Sequence, residues 1–216
     1  MPWTSQFAQV LVICEKAGLI NEEEYNAIRV ALGGVDIPVP PPYRQATDGD
    51  SSQVVGQTKT SGFKFGKASL KELEGVKTEL VLLARRALEL STQDFCVYDG
   101  LRTVKEQEQH VKNGTSQTMN SKHLKGLAID LVPWIKGKPT WDWDAIYPIA
   151  CAVDAAAREM GIESNIRWGG AWDRRLSDFH GDPAAYKRVV EEYGARQRAR
   201  GQSKVLIDGP HFEWVD

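Results

Sequence analysis

Two histidines and two aspartates stand where a metal site could be built from this sequence. His123 and Asp130 lie seven residues apart in "SKHLKGLAIDLVPW", with Gly126 between them, and Asp208 and His211 lie three apart in "LIDGPHFEW". A catalytic zinc site uses three protein ligands and leaves a fourth position for water. His123, Asp130 and His211 would supply two imidazoles and one carboxylate, a nitrogen and oxygen set that suits zinc. Asp208, set before a Gly-Pro bend, could then act as general base toward a water acidified to a pKa of roughly 7. Arg102 adds a permanent fork of N–H donors, able to clamp a carboxylate or stabilise the oxyanion formed when water attacks an amide. Each residue also has a plainer role open to it: a hydrogen-bonded strand-end histidine, a turn aspartate, a solvated arginine.

The remaining histidines fit less well. His110 falls in a polar helical stretch beside Gln109 and Lys112, and His180 in the loop "LSDFHGDP". Both are expected to be solvated, with His180 the reserve ligand. The tryptophans of "RWGGAW" could floor a sugar or peptide cleft, whereas Trp141, Trp143 and Trp214 are expected to serve packing.

Positioning such a site requires strands and turns. "FCVYDGLR" reads as a strand ending at Gly100, and Thr103 with Glu106 has the spacing of a capping box, so Arg102 sits at a strand-to-helix junction. In "LAIDLVPW" alternation puts Asp130 on the face opposite Ile129 and Leu131. "KASLKELEGVKTELVLLARRALEL" reads as one long helix, opened by a Ser69/Glu72 capping box and carrying a stripe from Leu70 to Leu88. Helices are also expected over 144–161 and after Asp182, where Pro183 takes the first helical position. The last strand is "GPHFEWV". Helices around a small sheet of non-adjacent strands give an α+β fold: a small antiparallel sheet carrying the zinc site, flanked by helices, with a short N-terminal helical extension.

Ahead of this domain, residues 1–35 read as two short helices, an accessory or wall-binding pair, and 36–62 as a linker rich in Pro, Gly and Ser. The domain proper would span 63–216.

The totals narrow the function classes. In 216 residues, 27 basic side chains nearly balance 29 acidic ones, which argues against general nucleic-acid or membrane binding. Three widely spaced cysteines without a CxxC pattern suggest neither a disulfide framework nor a thiolate zinc knuckle. The start "MPWTSQFAQVLVICEKAG" has no basic n-region and only a short apolar run, so neither a signal peptide nor a spanning helix is expected.

"SKHLKGLAIDLVP" resembles the SxHxxGxAxD motif of the zinc peptidases that include D-Ala-D-Ala carboxypeptidases, and "DGPHFEW" resembles the DxxHxE segment of their phage-lysin branch. That branch consists of L-alanyl-D-glutamate endopeptidases that cut the stem peptide of peptidoglycan. The likeness runs from about Phe63 to the C-terminus and includes "FCVYDGLRTVKEQ", "TMNSKH" and "RWGG". It implies one zinc ion on His123, Asp130 and His211, Asp208 as catalytic carboxylate, Arg102 at the reacting substrate, and Gln107, Ser121 and Trp168 as further substrate contacts. Glu213 becomes a candidate for orienting a ligand imidazole. The implied protein is a monomeric endolysin acting on bacterial peptidoglycan, with no nucleic-acid partner and no stable membrane insertion. It would accumulate in the host cytoplasm and reach the wall after holin-type permeabilisation. Two alternatives stay open: a D-Ala-D-Ala carboxypeptidase of the same superfamily, and a non-catalytic wall-binding module with a structural metal. The sequence departs from the compact lysins in the longer segment between "WGGAW" and "DGPHFEW", and in Ala171, where an acidic residue is common.

Overall fold

The computed structural model describes residues 61–216. The helical pair expected over 1–35 and nearly all of the expected linker over 36–62 lie outside the described residues.

Helices α1 (Lys67–Glu72) and α2 (Thr78–Leu90) come first, followed by strand β1 (Phe95–Asp99) and helix α3 (Val104–Lys112). A 3₁₀ turn over Lys122–Lys125 leads into β2 (Ala128–Ile135) and the short β3 (Lys138–Pro139). Then follow α4 (Trp143–Met160), β4 (Ile166–Trp168), α5 (Pro183–Ala199) and β5 (His211–Trp214). The strands form one antiparallel sheet in the order β1-β2-β5-β4, with β3 paired to β2. β5, last in the chain, is thus inserted beside β2, and this brings the two sequence motifs together. The fold is α+β, as expected.

One face of the sheet is the core. Phe95 and Val97 of β1, Ile129 and Leu131 of β2, and Phe212 of β5 bury there against α2 and α4. α2 offers Leu80, Leu83, Ala84, Ala87 and Leu88, the i, i+3, i+4 stripe of a helix with one buried side. Each fully buried Leu or Ile contributes about 1.5–3 kcal/mol relative to exposure. Because side chains alternate, Asp130 and His211, opposite each other in register, project from the other face.

The single helix expected over 67–90 is two. The chain breaks after Glu72, and Gly75 adopts φ +76°. Nor does Ser69 cap anything: Gly66 is the N-cap, Ser69 is buried one turn in, and its Oγ accepts the Val97 backbone N–H at 3.2 Å. Leu70, assigned to the apolar stripe, is exposed. The break makes a seat for the loops that carry the site. A Cβ on Gly100 would stand 1.8 Å from the Glu72 carbonyl oxygen, and one on Gly126 2.3 Å from that of Gly75. The Lys77 N–H donates to the Gly126 carbonyl at 2.8 Å. Thr103 and Glu106 do form the expected capping box, and Asp182 caps α5 with Pro183 in its first turn.

Candidate active site

His123 is aimed by the 3₁₀ turn. Ser121 caps that turn, its Oγ accepting the His123 backbone N–H at 3.3 Å, and Gly126 closes it in the left-handed conformation, φ +63°. The His123 ring is almost fully buried, with Nδ1 2.7 Å from the Gly100 carbonyl oxygen. A carbonyl only accepts, so Nδ1 carries the proton and Nε2 presents its lone pair to the site. His211 presents the opposite nitrogen: its Nε2 lies 3.3 Å from Glu213 Oε2, while Nδ1 faces Asp130 Oδ1 at 2.9 Å.

The three inward atoms form a triangle. His123 Nε2 is 3.2 Å from His211 Nδ1 and 3.3 Å from Asp130 Oδ1, and the third side is 2.9 Å. Zinc bonds of about 2.0–2.1 Å at tetrahedral angles imply ligand-to-ligand spacings of about 3.3 Å, so the donor set and its spacing fit one such ion with a fourth position left over. Among the described residues the cluster consists of His123, Asp130 and His211. His180, the reserve ligand, is exposed and outside it. His110 is partly exposed, with Nδ1 bonded to Thr115 Oγ1.

The charges around the triangle are strongly coupled. Burial would raise the pKa of Asp130, but His123 and His211 outweigh it and hold the carboxyl far below the usual range. Burial likewise opposes charge on His211, yet its hydrogen bonds to Asp130 and Glu213 lift it to about 9. Asp208 goes the other way: burial, and then the negative charge of Asp130, push it up to about 6. Two hydrogen bonds fix the turn bearing Asp208. Its N–H donates to the Gly169 carbonyl at 2.9 Å, and the Gly169 N–H donates to the His211 carbonyl at 2.8 Å. A Cβ at Gly169 would meet the Asp208 carbonyl oxygen at 2.3 Å, so only glycine allows this approach.

Arg102 lies against the triangle and is held on three sides. Nε donates to Asp99 Oδ2 at 2.7 Å, Nη1 to Gln107 Oε1 at 3.1 Å and Nη2 to Asp130 Oδ2 at 3.2 Å. Of the five N–H donors of a guanidinium, three are thereby engaged and two are left for a ligand.

Two expected substrate contacts are placed otherwise. Gln107 is fully buried, and its Nε2 donates to Ser116 Oγ and the Thr118 carbonyl, so it braces Arg102 from behind. Trp168 is fully buried among Phe179, Tyr186 and Phe212, with Nε1 donating to the Gly209 carbonyl at 2.7 Å. Both therefore support the site from beneath. Ser121, partly exposed, remains at its rim as the cap described above. Ala171 is fully buried in the core.

Three contributors are not singled out by the sequence, and a fourth, Trp172, is the second tryptophan of "RWGGAW". Asp99 anchors Arg102, the Gly100 carbonyl sets the His123 tautomer, Arg167 pairs with Glu213, and Trp172 packs on His211 with ring centroids 5.0 Å apart. Asp99 and Gly100 sit inside the quoted "YDGLR", where their adjacency to Arg102 was the available signal. Arg167 becomes visible only once β4 lies beside β5.

A family model described as phage L-alanyl-D-glutamate peptidase matches residues 61–183. The chain belongs to this family. The L-alanyl-D-glutamate peptidase of Escherichia phage T5 is 45% identical over 122 residues, which cover 55% of this chain and 87% of that protein. The enzyme of the same name from Listeria phage A118 is 37% identical over 101 residues, 45% of this chain but 34% of that longer protein. Among solved structures, the Serratia marcescens L-Ala D-Glu endopeptidase ChiX superposes with a TM-score of 0.51 at 35% identity, covering 70% of this chain and 90% of ChiX. The phage L-alanyl-D-glutamate peptidase match ends at Pro183, where α5 begins, so the helix in the lengthened segment lies outside it.

Proposed function

We propose that this chain is a phage endolysin, a zinc metallopeptidase that hydrolyses the L-alanyl-D-glutamate bond of peptidoglycan stem peptides. The observation that carries this reading is the triangle of His123 Nε2, Asp130 Oδ1 and His211 Nδ1, flanked by Arg102. A zinc ion held by those three residues supplies Lewis acidity, which acidifies water and polarises the scissile carbonyl. The Asp208 carboxylate takes the proton of the attacking water. It then delivers that proton to the departing amine of D-glutamate as the C–N bond breaks. The two unengaged N–H groups of Arg102 hold the carbonyl oxygen as it gains negative charge, and Asp99 and Gln107 keep the guanidinium from swinging away. Glu213 fixes the His211 ring by accepting from Nε2, and Arg167 secures Glu213 in turn.

The names of the relatives favour the endopeptidase over a D,D-carboxypeptidase. A three-membered donor set favours a catalytic over a structural metal, which takes four protein ligands. No helix among the described residues is long and apolar enough to cross a membrane. In this reading the monomeric enzyme accumulates in the host cytoplasm and meets peptidoglycan after a holin-type lesion. The test separates the roles: Asp208→Ala abolishes hydrolysis with zinc still bound, whereas His123→Ala loses both. Retained hydrolysis in either variant overturns the mechanism.

A further inference from the structure

Strand β1 carries an exposed aromatic residue next to the site. Phe95 and Val97 point into the core, so Cys96 and Tyr98 point to the opposite face, the one from which Asp130 and His211 project. Tyr98 falls within the register shift between Val97 and Asp99, and its side chain is about half exposed at 49%. Against it, edge to face with ring centroids 5.2 Å apart and planes at 81°, stands Trp141, 54% exposed. Trp141 is delivered by the β2–β3 hairpin. Lys136 and Gly137 both have positive φ, and the Thr140 N–H closes onto the Pro133 carbonyl at 2.9 Å. Trp134, on the same face of β2, is 39% exposed. Tyr98, Trp134 and Trp141 thus leave three large aromatics exposed together on this face.

We propose that Tyr98 and Trp141 form a platform for the sugar ring to which the stem peptide is attached, which makes this face a saccharide subsite of the peptidase. The inference rests on the proposed peptidoglycan substrate. Geometry supports it. Asp99 pairs with Asp130 across the sheet, so the Tyr98 backbone lies within about 9 Å of that of Asp130, one residue step plus one strand spacing. In peptidoglycan the L-alanine whose carbonyl is cut is joined to the sugar through a lactyl group. One residue and one three-atom acyl link span roughly 7 Å at about 3.6 Å each. A substrate with its scissile carbonyl at the metal triangle therefore reaches this pair with its sugar. The apolar C–H face of a pyranose stacks on an aromatic face, and the polar tips of Tyr and Trp can hydrogen-bond its hydroxyl and acetamido groups. Two half-exposed rings offer roughly 200 Å², far below the ~800 Å² per partner of a stable protein interface, which argues for a small ring over a second chain.

The test compares kcat and KM on N-acetylmuramoyl-peptide and on the same peptide without sugar, for the full chain and for Trp141→Ala, Tyr98→Ala and Trp141→Phe. The alanine variants are expected to lose about tenfold in kcat/KM on the sugar-bearing substrate, chiefly through KM, with the free peptide unaffected and Trp141→Phe close to wild type. Equal loss on both substrates, or no loss on either, overturns the platform. A readout free of catalysis is the Trp141 indole resonance of the zinc-loaded protein, assigned with Trp141→Phe and followed while N-acetylmuramoyl-L-alanine is added. A saturable shift supports the subsite and its absence refutes it, even if the wild-type protein cleaves neither peptide and the proposed activity itself fails.

Discussion

Replacing Gln107 by alanine distinguishes support of the site from contact with substrate. The side chain is fully buried and both ends are bonded inside the protein: Oε1 accepts from Arg102 Nη1, and Nε2 donates to Ser116 Oγ at 2.8 Å and to the Thr118 carbonyl at 2.7 Å. Truncation removes two neutral hydrogen bonds at about 1 kcal/mol each and one to a charged group at about 1.5–3, and leaves a small void. The sum is about 3–5 kcal/mol, which for a domain of this size lowers Tm by roughly 10 °C. Arg102 keeps its bonds to Asp99 and Asp130 but loses the third point that fixes its plane. The consequence falls on the charge that develops in the transition state, so kcat should drop by about tenfold or more with KM nearly constant. Thermal unfolding and steady-state kinetics on a stem tetrapeptide measure both quantities. A raised KM with unchanged kcat and unchanged Tm would refute this reasoning and return Gln107 to the role of a substrate contact.

Gly126→Ala forces φ +63° on a residue with a side chain and drives its Cβ to 2.3 Å from the Gly75 carbonyl oxygen. A loss of about 2–4 kcal/mol in denaturant unfolding, with weaker zinc retention through the displaced His123 turn, is expected; wild-type stability would contradict the packing described. Burial, and then the charge of Asp154, push the Cys151 thiol up to about 12. A raised pKa depletes the thiolate at every pH below it, so alkylation of Cys151 at pH 8 should be about a thousandfold slower than that of an ordinary thiol and should rise about tenfold per pH unit until it levels off near pH 12. Peptide mapping after timed iodoacetamide treatment checks this, and fast labelling at pH 8 would count against it.

Much of this architecture is legible in the sequence because local chemistry and tertiary structure agree. Thr103 and Glu106 cap a helix in any context, Asp182-Pro183 starts one, and the alternation in "LAIDLVPW" places Asp130 opposite Ile129 and Leu131. The triangle follows from a topology in which the last strand pairs with β2, which no local pattern encodes, although the two histidines and Asp130 were marked by their types. The misreadings share one cause. Ser69, Gln107 and Trp168 look like a cap and two cleft residues in one dimension, but long-range packing buries them and spends their polar atoms on Val97, on Arg102 with the Thr118 loop, and on Gly209. The break at Gly75 differs: the apolar stripe runs through it, but glycine is a poor helix former that takes φ +76° there, and the Gly100 and Gly126 loops seat against the break.

The most direct test of the central claim is mass spectrometry of the fragments released from purified peptidoglycan by one preparation of known zinc content. New N-terminal D-glutamate on stem peptides, abolished by chelator and restored by zinc, is the predicted result. Release of free D-alanine instead, or bound zinc with no cleavage, would contradict it.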